Sequence, residues 1–139
     1  MTTCLPDAAT RLAALLHERQ CQPFAWGARD CCTFAFDCAQ AITGRDARAG
    51  VRGTYSTYIG ARRELRRLGG LHGLCARLLG PEIQDADVRN GDVALLRTGC
   101  TEGQMRALGV AWNGCVLGQG AAGLVVVSRQ LALRWWRAA

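Results

Sequence analysis

Lysine is absent from this 139-residue chain; all seventeen basic residues are arginine. With eleven acidic residues the formal net charge is +6. Arginine, alanine and glycine share GC-rich codons, so base composition accounts for much of the excess. A basic surface attracts phosphates, but charge alone does not make nucleic acid the expected partner. No apolar run approaches the ~20 residues of a membrane span. The opening Met1-Thr2-Thr3-Cys4-Leu5-Pro6-Asp7 has no basic stretch followed by an apolar one, so no secretory leader is expected. Histidine is scarce, with only His17 and His72, which leaves few imidazoles for proton transfer. Cys-x-x-Cys pairs, the usual mark of a metal site, are missing.

Cysteine itself is plentiful: Cys4, Cys21, Cys31, Cys32, Cys38, Cys75, Cys100 and Cys115. A disulfide framework needs an oxidising compartment, so mostly free thiols are expected, acting as small buried hydrophobes. The densest group, Cys21, Cys31, Cys32 and Cys38, has neither zinc-ribbon nor ferredoxin spacing. It stands as an alternative site for a metal or iron–sulfur centre. No cofactor is expected otherwise. Half the residues are hydrophobic and a fifth are charged, which suits one globular domain spanning residues 1–139. No internal repeat or linker divides it.

The first half is patterned for helices. Residues 7–20 place Leu12, Leu15, Leu16 and Arg19 at helical spacing, with Asp7 as a cap. Residues 31–43 run from an N-cap at Asp30 to Gly44. That segment is apolar on most sides, which predicts an interior helix. A third helix over about 56–68 carries an arginine stripe, Arg62, Arg63, Arg66 and Arg67, opposite Ile59, Leu65 and Leu68. A short helix over 71–79 closes at Gly80-Pro81.

The second half is patterned for strands: 93–96 after the Gly91-Asp92 turn, 108–112, 115–117 and 124–128. Asn113-Gly114 predicts a hairpin. Residues 131–136 pair at the sheet edge or cross it. Helices followed by an antiparallel sheet make an α+β domain.

Cys31 opens the interior helix. Unpaired N–H groups and partial positive charge at such a position stabilise a thiolate and an oxyanion. Nucleophilic catalysis also needs a base, usually histidine. The order Pro23-Phe24-Ala25-Trp26-Gly27, Asp30-Cys31-Cys32-Thr33 and Gly91-Asp92-Val93 resembles the NlpC/P60 superfamily. It is most similar to that family's phage-tail branch, over roughly residues 20–135. The resemblance implies a papain-like α+β fold, with a buried central helix packed on a C-terminal antiparallel sheet. It gives Cys31 the nucleophile position. It puts the catalytic histidine at Ala107, where none stands, and the orienting polar group near Gln119. Cys32 and Thr33 replace the Ser-Gly of cell-wall hydrolases.

His72 is the outsider base. His17 is expected on the surface, and Asp37 is expected to pair with an arginine. Trp26 either lines a groove or packs on the helix. Trp135-Trp136 either contacts a partner or packs internally. The resemblance therefore implies a structural component of a phage tail tip or baseplate, with hydrolase activity lost. Other tail proteins (hub, distal tail or central fibre) would be its partners. It would be made in the bacterial host cytoplasm and end in the virion tail. The enzymatic alternative is a cysteine peptidase or amidase cleaving peptidoglycan peptides.

Overall fold

The structure, a computed structural model, describes residues 4–50, 53–100 and 106–138. It is an α+β arrangement of four α-helices and a six-stranded antiparallel sheet. The helices are α1 (Ala8–Arg19), α2 (Cys31–Thr43), α3 (Tyr58–Leu68) and α4 (Gly70–Leu79). The strands are β1 (Glu82–Ile83), β2 (Val93–Leu96), β3 (Ala107–Trp112), β4 (Cys115–Gln119), β5 (Leu124–Val127) and β6 (Ala132–Trp136). Their order across the sheet is β1-β6-β2-β3-β4-β5. The sequence places a Gly- and Arg-bearing loop over 45–54, of which residues 51 and 52 lie outside the described residues.

The interior position of α2 follows from its composition. Ten of its thirteen residues are buried, and a helix apolar all round has no face to give to water. It packs across β3 and β4, with α1 against its other side. Phe34, Phe36, Cys38 and Ala39 have no exposed surface at all. They meet Val93, Leu96, Leu108, Val110 and Val116 from the sheet within one core.

Beside this core Arg19 pairs with Asp37, both side chains largely shielded. The leucine-spaced arginine of α1 and the one carboxylate of α2 thus neutralise each other, as expected. The Asn113-Gly114 hairpin also forms. Asn113 and Gly114 both have positive φ, 49° and 83°, the mark of a type I′ turn, and Trp112 faces Cys115 across it.

Several expectations are corrected. Residues 131–136 do not form an edge. β6 lies between β1 and β2, because a two-residue strand pairs Glu82 with Trp136 and Ile83 with Trp135. Two residues carry no alternation, so β1 left no periodic signal. Trp135 and Trp136 are accordingly buried and pack internally, which removes them as partner anchors. Asp7 precedes α1 but makes no side-chain cap bond; its ψ of 23° departs from the extended backbone a capping side chain needs. α3 starts at Tyr58, with Thr57 Oγ1 accepting the Gly60 N–H at 3.0 Å. Ile59 is exposed rather than on the inward face, where Ala61 and Leu68 are buried. β4 continues to Gln119, and Ser128 falls outside β5.

Candidate functional site

The start of α2 is built around one carboxylate. Asp30 Oδ1 accepts the Thr33 N–H at 2.8 Å, and Thr33 Oγ1 accepts the Asp30 N–H at 2.7 Å. This reciprocal pair is a capping box with Thr in the third position. Asp30 Oδ2 also accepts the Gly27 N–H at 2.8 Å and the Tyr55 hydroxyl at 2.7 Å. The carboxylate therefore ties together the Trp-Gly loop, the first turn of α2 and the segment before α3. With these donors satisfied at an almost fully buried position, it organises the start of α2.

Glycine at position 27 has a similar cause. Its φ is +82°, and a Cβ there would lie 2.3 Å from the Tyr55 carbonyl oxygen. No other residue fits both constraints. Gly91, at φ +95°, would place a Cβ 1.9 Å from Ile42 Cδ1, so this turn packs directly on α2. Asp92 Oδ2 accepts the Arg89 N–H at 2.8 Å, and Oδ1 accepts the Ala138 N–H at 3.1 Å. Burial still holds its carboxyl above the ordinary range, against those hydrogen bonds and the nearby Arg137. Gly27, Asp30, Thr33, Gly91 and Asp92 thus each have a structural task.

Cys31 sits at the first helical position, 4% exposed. Its charge acts on neighbouring thiols. Cys32 is raised well above the ordinary range, first by its hydrogen bond with Cys31, then by burial, then by the charges of Cys31, Asp30 and Cys75. Cys75, on α4, is raised by burial and then by Cys31. Cys100 is pushed up to about 11 by the same two causes. Burial also raises Cys38, opposed by Arg19. Sulfur surrounded by apolar groups favours the neutral thiol.

The expected base position is occupied by Ala107, fully buried at the start of β3. Among the described residues neither histidine bonds to the Cys31 thiol. His17 is exposed on α1. His72 is also exposed; its ring meets Trp136 at 5.5 Å, and Nε2 lies 3.9 Å from Glu82 Oε1. The outsider base is therefore engaged at the β1–β6 side of the sheet. Gln119 is buried, but its Nε2 donates to the carbonyls of Gln22 and Gly120, each at 3.0 Å. It ties the chain before Pro23 to β4 instead of orienting an imidazole.

Cys21 is exposed while Cys31, Cys32 and Cys38 are buried. Among the described residues no three His, Cys, Asp or Glu side chains converge to hold a metal ion. None of the described helices is long and apolar enough to cross a membrane.

Two neighbours of this site escape sequence reasoning. Tyr55 reaches Asp30 from outside the motif, and burial pushes its hydroxyl far above the ordinary range. Arg48 is 2% exposed, with both terminal nitrogens lacking hydrogen-bond partners among the described residues. Its charge acts on Tyr55 against the effect of burial. A single Arg or Tyr in an irregular loop has no periodicity to betray burial. Trp26 lies in a half-buried aromatic group, 4.7 Å from Phe24 and 5.5 Å from Tyr58 between ring centres.

The chain belongs to the DUF6950 family, a domain of unknown function, whose model matches residues 3–138. Among curated proteins none matches it.

Proposed function

We propose that this chain is a structural component of a phage, or phage-derived, tail tip or baseplate, built on an NlpC/P60-like scaffold that no longer hydrolyses. The observation that carries this reading is the pairing of an intact frame with a missing base. Asp30, Gly27, Gly91 and Asp92 hold the start of α2 and the start of β2 through specific contacts. Yet Ala107, fully buried, stands where the family resemblance calls for histidine, and both histidines of the chain are exposed, on α1 and α4. Loss of a triad base alone costs on the order of 10³–10⁶ in rate. A fold kept while its chemistry lapses serves by its surfaces. Its partners are then other tail proteins (hub, distal tail or central fibre), and its final location is the virion tail.

The test has two arms. Co-expression with the adjacent tail proteins should give a stoichiometric complex by light scattering; a chain that stays monomeric beside them refutes the structural role. In the second arm purified protein meets peptidoglycan. Neither the native chain nor Cys31→Ala should release stem peptides. Release by the native chain that Cys31→Ala abolishes establishes the competing reading, a cysteine peptidase or amidase, which the placement of Cys31 at a helix start favours.

A further inference from the structure

Helix α3 presents an unusual outer surface. At about 100° per residue, Tyr58, Arg62, Arg66, Ile59, Arg63 and Arg67 fall in sequence around one half of its circumference. All six are exposed, Tyr58 by 54% and Ile59 by 69%. No acidic residue shares that half. The single carboxylate of α3, Glu64, lies on the other side and pairs with Arg67. No carboxylate of the described residues pairs with Arg62, Arg63 or Arg66. The inward half is already consumed by packing, through Ala61, Leu68 and the half-buried Leu65.

We infer that this face docks an acidic protein surface carrying an apolar recess, with Ile59 and Tyr58 as anchors and the arginines as the surrounding charge. Charge complementarity selects an acidic partner, since the face carries four arginines and no acidic residue on a chain of net charge +6. The anchors select protein over nucleic acid. An exposed isoleucine gains nothing from phosphate, whereas burying it against apolar groups is favourable. Tyrosine and arginine are also the residues that dominate protein interface energetics. Trp26 extends the apolar area, with its ring 5.5 Å from Tyr58. This deepens the tail-component reading by giving the chemistry of one neighbour, and it rests on that reading for the partner's place in a virion.

The experiment uses the whole chain and two labelled probes: a glutamate-rich peptide with a central Leu-Leu pair, and single-stranded DNA of equal charge. Binding is followed by fluorescence anisotropy at about 0.15 M salt, where distant charges are screened. Arg62→Glu/Arg66→Glu should weaken peptide binding by about tenfold or more. Ile59→Ser should weaken it by about threefold or more. The control Arg77→Glu/Arg97→Glu makes the same change in net charge at exposed positions elsewhere, and should change binding less than about twofold. Unchanged melting temperatures confirm that each variant is folded.

The inference is overturned by an equal loss in the control, by indifference to Ile59→Ser, or by DNA binding more tightly through the same arginines. It fails separately from the tail role. If Arg62→Glu/Arg66→Glu still enters a tail complex, the docking face is wrong and the tail role stands. If the peptide binds through α3 but no tail complex forms, the tail role is wrong and the face stands.

Discussion

Replacing Asp30 by alanine tests whether one carboxylate organises the start of α2. The substitution removes the N-cap bond to Thr33, worth about 1 kcal/mol. It also strips acceptors from the Gly27 N–H and the Tyr55 hydroxyl. A buried donor left without a partner costs about 1–3 kcal/mol. The Tyr55 hydroxyl can rotate and belongs at the low end; the Gly27 N–H is fixed by backbone. Together the loss should be about 3–5 kcal/mol, a large part of the ~5–15 kcal/mol that holds such a domain together. In urea denaturation this lowers the midpoint by at least about 1 M.

Asp30→Asn keeps one acceptor oxygen for Thr33 but turns an NH₂ toward Gly27, so it should lose an intermediate amount and remain folded for comparison. A double-mutant cycle with Tyr55→Phe should give a coupling of about 1 kcal/mol. If Asp30→Ala costs less than about 1 kcal/mol, or shows no coupling with Tyr55, the carboxylate is not the hub described above.

Thiol counting tests the state of Cys31: in the native chain a thiol reagent at pH 7 should label Cys4, Cys21 and Cys115 quickly and Cys100 slowly, leaving the four buried cysteines until denaturant is added. Rapid alkylation of Cys31 below pH 8 would instead reveal a poised thiolate and refute the inactive reading. Gly27→Ala meets both a positive φ and the Tyr55 carbonyl; thermal melts should show a loss of at least about 2 kcal/mol, and a neutral substitution would mean the loop is not held as described. For Asp92 the folded carboxyl is raised by burial, so the folded state binds a proton more readily than the unfolded one. Its contribution to stability therefore falls as pH rises from about 4 through the folded value. The stability of the native chain relative to Asp92→Asn should shrink over that range, and a difference growing with pH would show the sign to be wrong.

Local pattern made much of the architecture legible in advance. Apolar residues on every side of 31–43 required an interior helix, because such a segment has nowhere else to lie. Asp30 ahead of it and Gly44 behind fixed its ends within a residue. Asn113-Gly114 set the β3–β4 turn, since both residues tolerate the left-handed backbone a tight hairpin needs. The absence of histidine at 107 was also visible without coordinates. These features depend on neighbours close in the chain, where composition and spacing carry the physics directly.

Long-range encounters were decided only in three dimensions. A two-residue β1 placed β6 inside the sheet and buried Trp135 and Trp136, because pairing between segments some fifty positions apart leaves no local trace. Gly27 is constrained by the Tyr55 carbonyl, Gly91 by Ile42, and Asp30 by a tyrosine from a loop without periodicity. The thiols of Cys75 and Cys100 gather near Cys31 for the same reason: helices and strands remote in the chain meet in one core. Residue type announces which chemistry is available; packing determines whether the groups that would complete it ever come within reach.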